Sequence, residues 1–201
     1  VDEKVLKAMV PYFSESYGNP SSQHIVGQEA KRALEESRIT IAKSIGAARD
    51  EVIFTGSGTE SNNLVLKGLF FSKIEHDCVL NACKWLEKRG ARVTYLDVDE
   101  KGFINLEHLK QAITPRTLVV SIIHGNNERG TIQDLEAIGK ICKDTGTYFH
   151  TDACQSYTKT KINVKKQNLD FVTLNAHKIH GPKGVGALYI KKGIAITPLL
   201  H

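Results

Sequence analysis

Apolar residues recur along the chain with two periods. Spacings of three and four predict helices over residues 2–13, 23–46, 59–70, 77–89, 105–113 and 134–145. The first of these puts Val5, Met9, Val10 and Phe13 on one face. The turn Gly18-Asn19-Pro20-Ser21-Ser22 separates it from the second, with a serine as the expected N-cap. Shorter runs rich in β-branched and aromatic residues predict strands at Glu51–Thr55, Arg92–Asp97, Thr117–Ile123, Thr147–His150, Phe171–Leu174 and Val185–Ile190. The early strands alternate with helices, which argues for βαβ units, a three-layer αβα arrangement and a mostly parallel sheet. A short glycine-rich stretch joins the last two strands, so an edge of the sheet is expected to run antiparallel. One junction breaks the alternation. The helix ending in Leu69-Phe70-Phe71 runs at once into Ser72-Lys73-Ile74-Glu75-His76, with no strand between two consecutive helices, as if a segment were missing between 71 and 72.

Composition narrows the class. The chain has 201 residues, enough to bury a core without disulfides or metals. Charged residues make up 24% and hydrophobic residues 41%, which excludes a disordered chain. No apolar run reaches the roughly 18–20 residues needed to span a bilayer, and no membrane role is expected. The opening Val1-Asp2-Glu3-Lys4 lacks the basic and apolar regions of a secretory leader. The net charge of +5 is spread out, and its tightest cluster, Lys159, Lys161, Lys165 and Lys166, lacks interleaved aromatics. A solvated surface explains it better than a nucleic-acid face, and an anionic small ligand is equally compatible. Cys78, Cys83, Cys142 and Cys154 form no C-x-x-C pair, so a reducing, cytoplasmic location is expected. Both ends carry apolar helix or strand patterns, which reads as part of a longer protein.

Three segments carry candidate chemistry. Thr55-Gly56-Ser57-Gly58-Thr59-Glu60-Ser61 follows a strand and opens a helix. Free N–H groups at such a start attract an anion, and glycines let the backbone approach it; the alternative is a plain capped turn. His150-Thr151-Asp152-Ala153-Cys154-Gln155 delivers Asp152 at the end of an apolar strand, where ligand crevices open in α/β sheets. An acid there binds a metal, a ribose or a protonated ring nitrogen, or simply caps a helix. Asn175-Ala176-His177-Lys178-Ile179-His180-Gly181-Pro182-Lys183-Gly184 sets Lys178 just past a strand, among glycines. Desolvation there would make its amine a nucleophile; the alternative is an exposed loop lysine. A metal site from His124, His150, Cys154, His177 and His180 fits no compact zinc spacing. Together, a phosphate cradle, a strand-borne acid and a lysine in a glycine-rich loop are what pyridoxal 5'-phosphate requires.

The segments Tyr17–His24, Phe54–Asn63, Glu75-His76, Asn126-Asn127-Glu128, His150–Gln155 and Ala176–Gly184 together resemble the cysteine desulfurases, the NifS/IscS-like group of class-V, fold-type-I enzymes. They span nearly the whole chain in that family's order. The resemblance implies that residues 1–201 are the large pyridoxal phosphate-binding domain, with the family's N-terminal strand, small domain and sulfur-accepting cysteine outside the sequence. It implies that Lys178 carries the cofactor and that Asp152 pairs with its ring nitrogen. Gln155 would touch the ring hydroxyl, and His76 would stack on the ring and move protons. Asn127 would hold the ring hydroxyl region or the substrate carboxylate. Gly58, Thr59 and His177 would bind the phosphate. Asn175 stands where the family usually has a serine phosphate ligand, and Arg129 where a small or apolar residue is common. The implied reaction takes sulfur from L-cysteine, giving L-alanine and a protein persulfide for iron–sulfur cluster and thio-cofactor synthesis. A homodimer and a sulfur-acceptor or iron–sulfur scaffold partner are implied with it. A selenocysteine lyase, another class-V enzyme, or a truncated non-catalytic chain are the alternatives.

Overall fold

Four strands leave the same end of one sheet, and a fifth returns between them. The computed structural model describes residues 1–66 and 77–197. Its strands are β1 (Val52–Thr55), β2 (Val119–Ser121), β3 (Tyr148–Asp152), β4 (Phe171–Asn175) and β5 (Gly186–Ile190), in spatial order β1-β5-β4-β3-β2. β2, β3 and β4 pair in parallel, while β5 is antiparallel to both β4 and β1. The sheet is therefore mostly parallel, as the pattern predicts, but its reversed strand lies inside it and not at an edge. The link between β4 and β5 is short enough to demand an antiparallel return. β1, from the N-terminal part of the chain, then takes β5's other edge and covers it.

The period-two pattern sorts side chains onto two faces. Val52, Val172, Leu174, Ala187 and Tyr189 pack on one face against α3 (Ile25–Ser44), α6 (Leu106–Ala112) and α7 (Leu135–Thr145). Phe171 and Leu188, one residue out of phase, face α4 (Gly58–Leu66) and α5 (Asp77–Glu87) through Val65, Leu66, Val79 and Leu86. The result is three layers. Fully burying each such aliphatic or aromatic side chain stabilises the fold by about 1.5–3 kcal/mol. Local signals set the helix ends. Asp134 caps α7 by accepting from the Glu136 and Ala137 amides at 3.0 Å, and Gly146 ends it in the left-handed region at φ 68°. The short helices α1 (Glu3–Met9) and α2 (Pro11–Ser14) precede α3. The N-cap of α3 is His24, whose Nδ1 accepts from the Gly27 amide at 3.3 Å, and not the expected serine. Ser21 and Ser22 are already used in the turn, donating their backbone N–H groups to Asn19.

The expected strand at Arg92–Asp97 is absent: residues 92–97 join no ladder. Arg92, Thr94 and Leu96 line a cavity of about 630 Å³ whose other wall includes Val119, Val120 and Ser121 of β2. The alternation survives in packing, with Val93 and Tyr95 turned to the α4 and α5 side and Arg92, Thr94 and Leu96 to the cavity. The junction between 71 and 72 lies outside the described residues. No helix among the described residues is long and apolar enough to cross a membrane.

Candidate active site

The sheet brings the ends of β1, β3 and β4 to one rim. Thr55 and Asn175 both stand opposite Gly186, and Asp152 lies one strand further across, paired with Thr173. The start of α4 folds over this rim. Ser57 Oγ accepts from the Glu60 amide at 3.0 Å, and Glu60 Oε2 accepts from the Gly56 amide at 2.8 Å. Thr55 Oγ1 ties the turn to Ser61 Oγ at 2.8 Å. Among the described residues, this cap leaves the first-turn amides of Gly58 and Thr59 for an outside acceptor. Two glycines make the approach possible. A Cβ at Gly186 would stand 2.7 Å from the Ser57 carbonyl carbon, and one at Gly58 would stand 2.5 Å from Cys154 Sγ.

Asp152 is 4% exposed. Its Oδ1 accepts from the Cys154 amide at 2.9 Å, and its Oδ2 accepts from Asn62 Nδ2 at 2.7 Å. Beneath it, His150 is fully buried between Ser121 Oγ at 2.7 Å and Thr173 Oγ1 at 3.0 Å. Burial lowers its pKa from 6.5 to about 4, against the opposing pull of Asp152. His124, bonded to Ser156 Oγ at 2.8 Å, is lowered to about 4 by burial alone. Both rings are therefore neutral framework. Burial, and then the Asp152 charge, push the Cys154 thiol well above its ordinary range, so it stays protonated. Among the described residues no three His, Cys, Asp or Glu side chains converge as a metal site.

Lys178 lies in a loop closed by an Ala176 amide bond to the Val185 carbonyl at 3.1 Å and tightened by the Ile179 and Gly181 amides on the Ala176 carbonyl. Its own amide donates to Asn175 Oδ1 at 3.3 Å. The side chains of Lys178 and His177 are exposed, so this chain does not itself bury the amine as expected. Gln155 is half-buried and Asn127 is exposed in a turn held by Asn126 Oδ1, which accepts from the Glu128 and Arg129 amides at 2.9 Å. The structure thus joins Gly58, Cys154, Asp152 and Asn175 by direct contact, and Lys178 to them through Asn175. His76 lies outside the described residues. Asn62 was not marked by the sequence as a site residue, although it sits three positions after Thr59, one turn along α4 and on the same face.

Comparison with known proteins decides what this rim belongs to. The class-V aminotransferase family model matches residues 1–200. The chain belongs to the class-V aminotransferase family. Relatives include the cysteine desulfurase IscS of Dictyoglomus turgidum, 48% identical over 99% of this chain and 53% of the relative. That of Rickettsia typhi is 48% identical over 100% of this chain and 52% of the relative. The chain spans about half the length of the curated relatives it matches. Among solved structures, "SspA in complex with cysteine" superposes with TM-score 0.97 at 42% identity, covering 100% of this chain and 62% of that one. A NifS-like protein superposes with TM-score 0.96 at 39% identity, covering 100% and 59%. Class-V aminotransferases depend on pyridoxal phosphate, and the rim fits that group chemically. A buried carboxylate suits a protonated ring nitrogen, and a glycine-opened helix start suits a phosphate.

Proposed function

We propose that this class-V aminotransferase chain is the large, cofactor-binding domain of a cysteine desulfurase. The observation that carries the reading is the buried Asp152 carboxylate set beside the open start of α4, with Gly58 against Cys154 and Asn175 between them and Lys178. A ligand with an anionic group at one end and a protonated heteroaromatic nitrogen at the other is complementary to that pair. The names of the relatives and the cysteine in the SspA structure support the substrate.

When bound, pyridoxal phosphate supplies an electron sink for charge developing on an amino-acid substrate. The chain's own residues do the rest. The Gly58 and Thr59 amides, the Thr59 hydroxyl, His177 and the Asn175 amide hold the phosphate. Asp152 holds the proton on the ring nitrogen. Gln155 and Asn127 fix the ring's oxygen-bearing edge or the substrate carboxylate. His76, outside the described residues, would contact the ring and move a proton. Lys178 Nζ would hold the cofactor covalently and would serve as a base toward the substrate. Lys178 is exposed in this chain, and further sequence or a second copy in a homodimer would supply the desolvation. Sulfur then passes to a protein thiol and on to an acceptor or iron–sulfur scaffold protein in the cytoplasm.

Borohydride reduction followed by peptide mass spectrometry tests the cofactor, and alanine release from L-cysteine tests the reaction. A pyridoxyl adduct on Lys178 together with alanine production is the expected result. An adduct on another lysine, or none with excess cofactor, overturns the assignment of Lys178. An adduct on Lys178 with turnover of selenocysteine alone moves the assignment to a selenocysteine lyase.

A further inference from the structure

We infer that Asn62 is a positioning residue that sets the Asp152 carboxylate for the cofactor's ring nitrogen; the inference rests on the cofactor reading above. Asn62 is 1% exposed, on the face of α4 that packs against the sheet. Its Nδ2 donates to Asp152 Oδ2 at 2.7 Å and reaches Cys78 Sγ at 3.3 Å. The opposite amide orientation would set two acceptor oxygens 2.7 Å apart, so the assignment follows from electrostatics. The Asp152 backbone is fixed by β3, and Oδ1 is fixed by the Cys154 amide. Asn62 is thus the amide donor on Oδ2 and, together with the Cys154 thiol that also bonds this carboxylate, limits its rotation and where the remaining lone pairs of Oδ2 point.

The cost side of the same residue argues in the same direction. Asn62 Oδ1 is buried and has no hydrogen-bond partner among the described residues. A stranded buried acceptor is unfavourable, and a leucine of the same branched shape would avoid it but would leave Asp152 Oδ2 without this donor. A donor aimed at the one carboxylate that faces the ring nitrogen explains the amide. The helix that presents its N-terminal amides at Gly58 and Thr59 to the phosphate also presents, one turn later, the side chain that orients the acid at the other end of the ligand. α4 therefore spaces the two ends of the site.

The test is a double-mutant cycle on the full-length protein with pyridoxal phosphate as the probe, read by the dissociation constant and by the visible absorption band of the bound cofactor. Asn62→Leu should weaken cofactor binding about tenfold, as expected for losing a hydrogen bond to a charged group. It should also shift the band in the same direction as Asp152→Asn. In an Asp152→Asn background the Asn62 substitution should add less than twofold, because its effect passes through the carboxylate. Equal effects of Asn62→Leu in both backgrounds would mean a packing role only and would overturn the inference. A normal dissociation constant and band in Asn62→Leu, with Asp152→Asn impaired, would overturn it too while leaving the cofactor reading intact. Unchanged binding in Asp152→Asn would sink the cofactor reading itself. If the leucine variant does not fold, Asn62→Ser carries the same cycle: it is small enough for the site and too short to reach Asp152 Oδ2.

Discussion

Replacing Gly58 by alanine sets two effects against each other, and their signs differ. Helix propensity favours alanine over glycine by roughly 1 kcal/mol in a helix interior, and less in the first turn. Packing opposes it, because the new Cβ would lie 2.5 Å from Cys154 Sγ and 3.4 Å from Asn175 Nδ2. Cys154 has one rotatable bond and sits in the turn leaving β3, so its sulfur cannot retreat without leaving the Thr173 carbonyl 4.0 Å away. Overpacking of this kind costs about 1–3 kcal/mol. The contact should win. Gly58→Ala is expected to be destabilised by about 1–2 kcal/mol, or a fall in Tm of about 2–8 °C for a chain of this size. The diagnostic variant is Gly58→Ala combined with Cys154→Ala, which removes the sulfur that the new methyl strikes. Urea denaturation of the wild type, both single variants and the double variant gives the coupling. The double variant should be more stable than the sum of the single effects predicts, by about 1 kcal/mol or more. Additivity within about 0.5 kcal/mol, or a Gly58→Ala variant more stable than wild type, would refute the argument that glycine is there for close approach.

Two further outcomes follow from buried groups elsewhere. The His150 ring titrates at 6.5 when unfolded and at about 4 in the fold, so the unfolded state binds the extra proton between those values. His150 should therefore contribute a fall of roughly 3 kcal/mol as pH drops from 6.5 to 4, alongside the similarly buried His124, and His150→Gln should remove about one proton from that slope in pH-dependent denaturation. An unchanged slope would contradict a buried neutral ring. Asp170, buried between β4 and its neighbours, accepts from the Phe149 amide at 2.9 Å and from Lys191 Nζ at 2.8 Å. Asp170→Ala should cost about 2–3 kcal/mol by thermal or urea denaturation, whereas Lys191→Ala, removing a half-exposed partner, should cost less than about 1 kcal/mol. Equal losses would mean that the ion pair, not the stranded amide, carries the effect.

The helices and most of the strands were legible because their evidence is local. Each apolar stripe lies within one segment, as in α7, where the Asp134 cap and the Gly146 stop are both present in the sequence. What failed depends on neighbours distant in the chain. Residues 92–97 carry a strand's alternation, yet a ladder needs a partner at about 4.8 Å, and β2 stands across a cavity instead. The reversed direction of β5 was readable from its short link to β4. Its interior place was not, since that depends on β1, more than a hundred residues earlier, choosing β5's outer edge.

The candidate site divides along the same line. Gly58, Asp152 and Asn175 were findable because each sits at a strand-to-loop or loop-to-helix boundary with a recognisable residue type. Asn62 was not, because its contact with Asp152 spans 90 positions, from α4 to the end of β3. Asn175 shows the converse, a visible departure whose consequence needed geometry. A serine there offers one short hydroxyl. The asparagine accepts the Lys178 amide through Oδ1 and holds Nδ2 near the start of α4, 3.4 Å from where a Gly58 Cβ would be. Its added length spans from the lysine loop to the helix start, two features that a serine could serve only one at a time. Asn175 thus bridges the lysine loop and the start of α4 with one side chain.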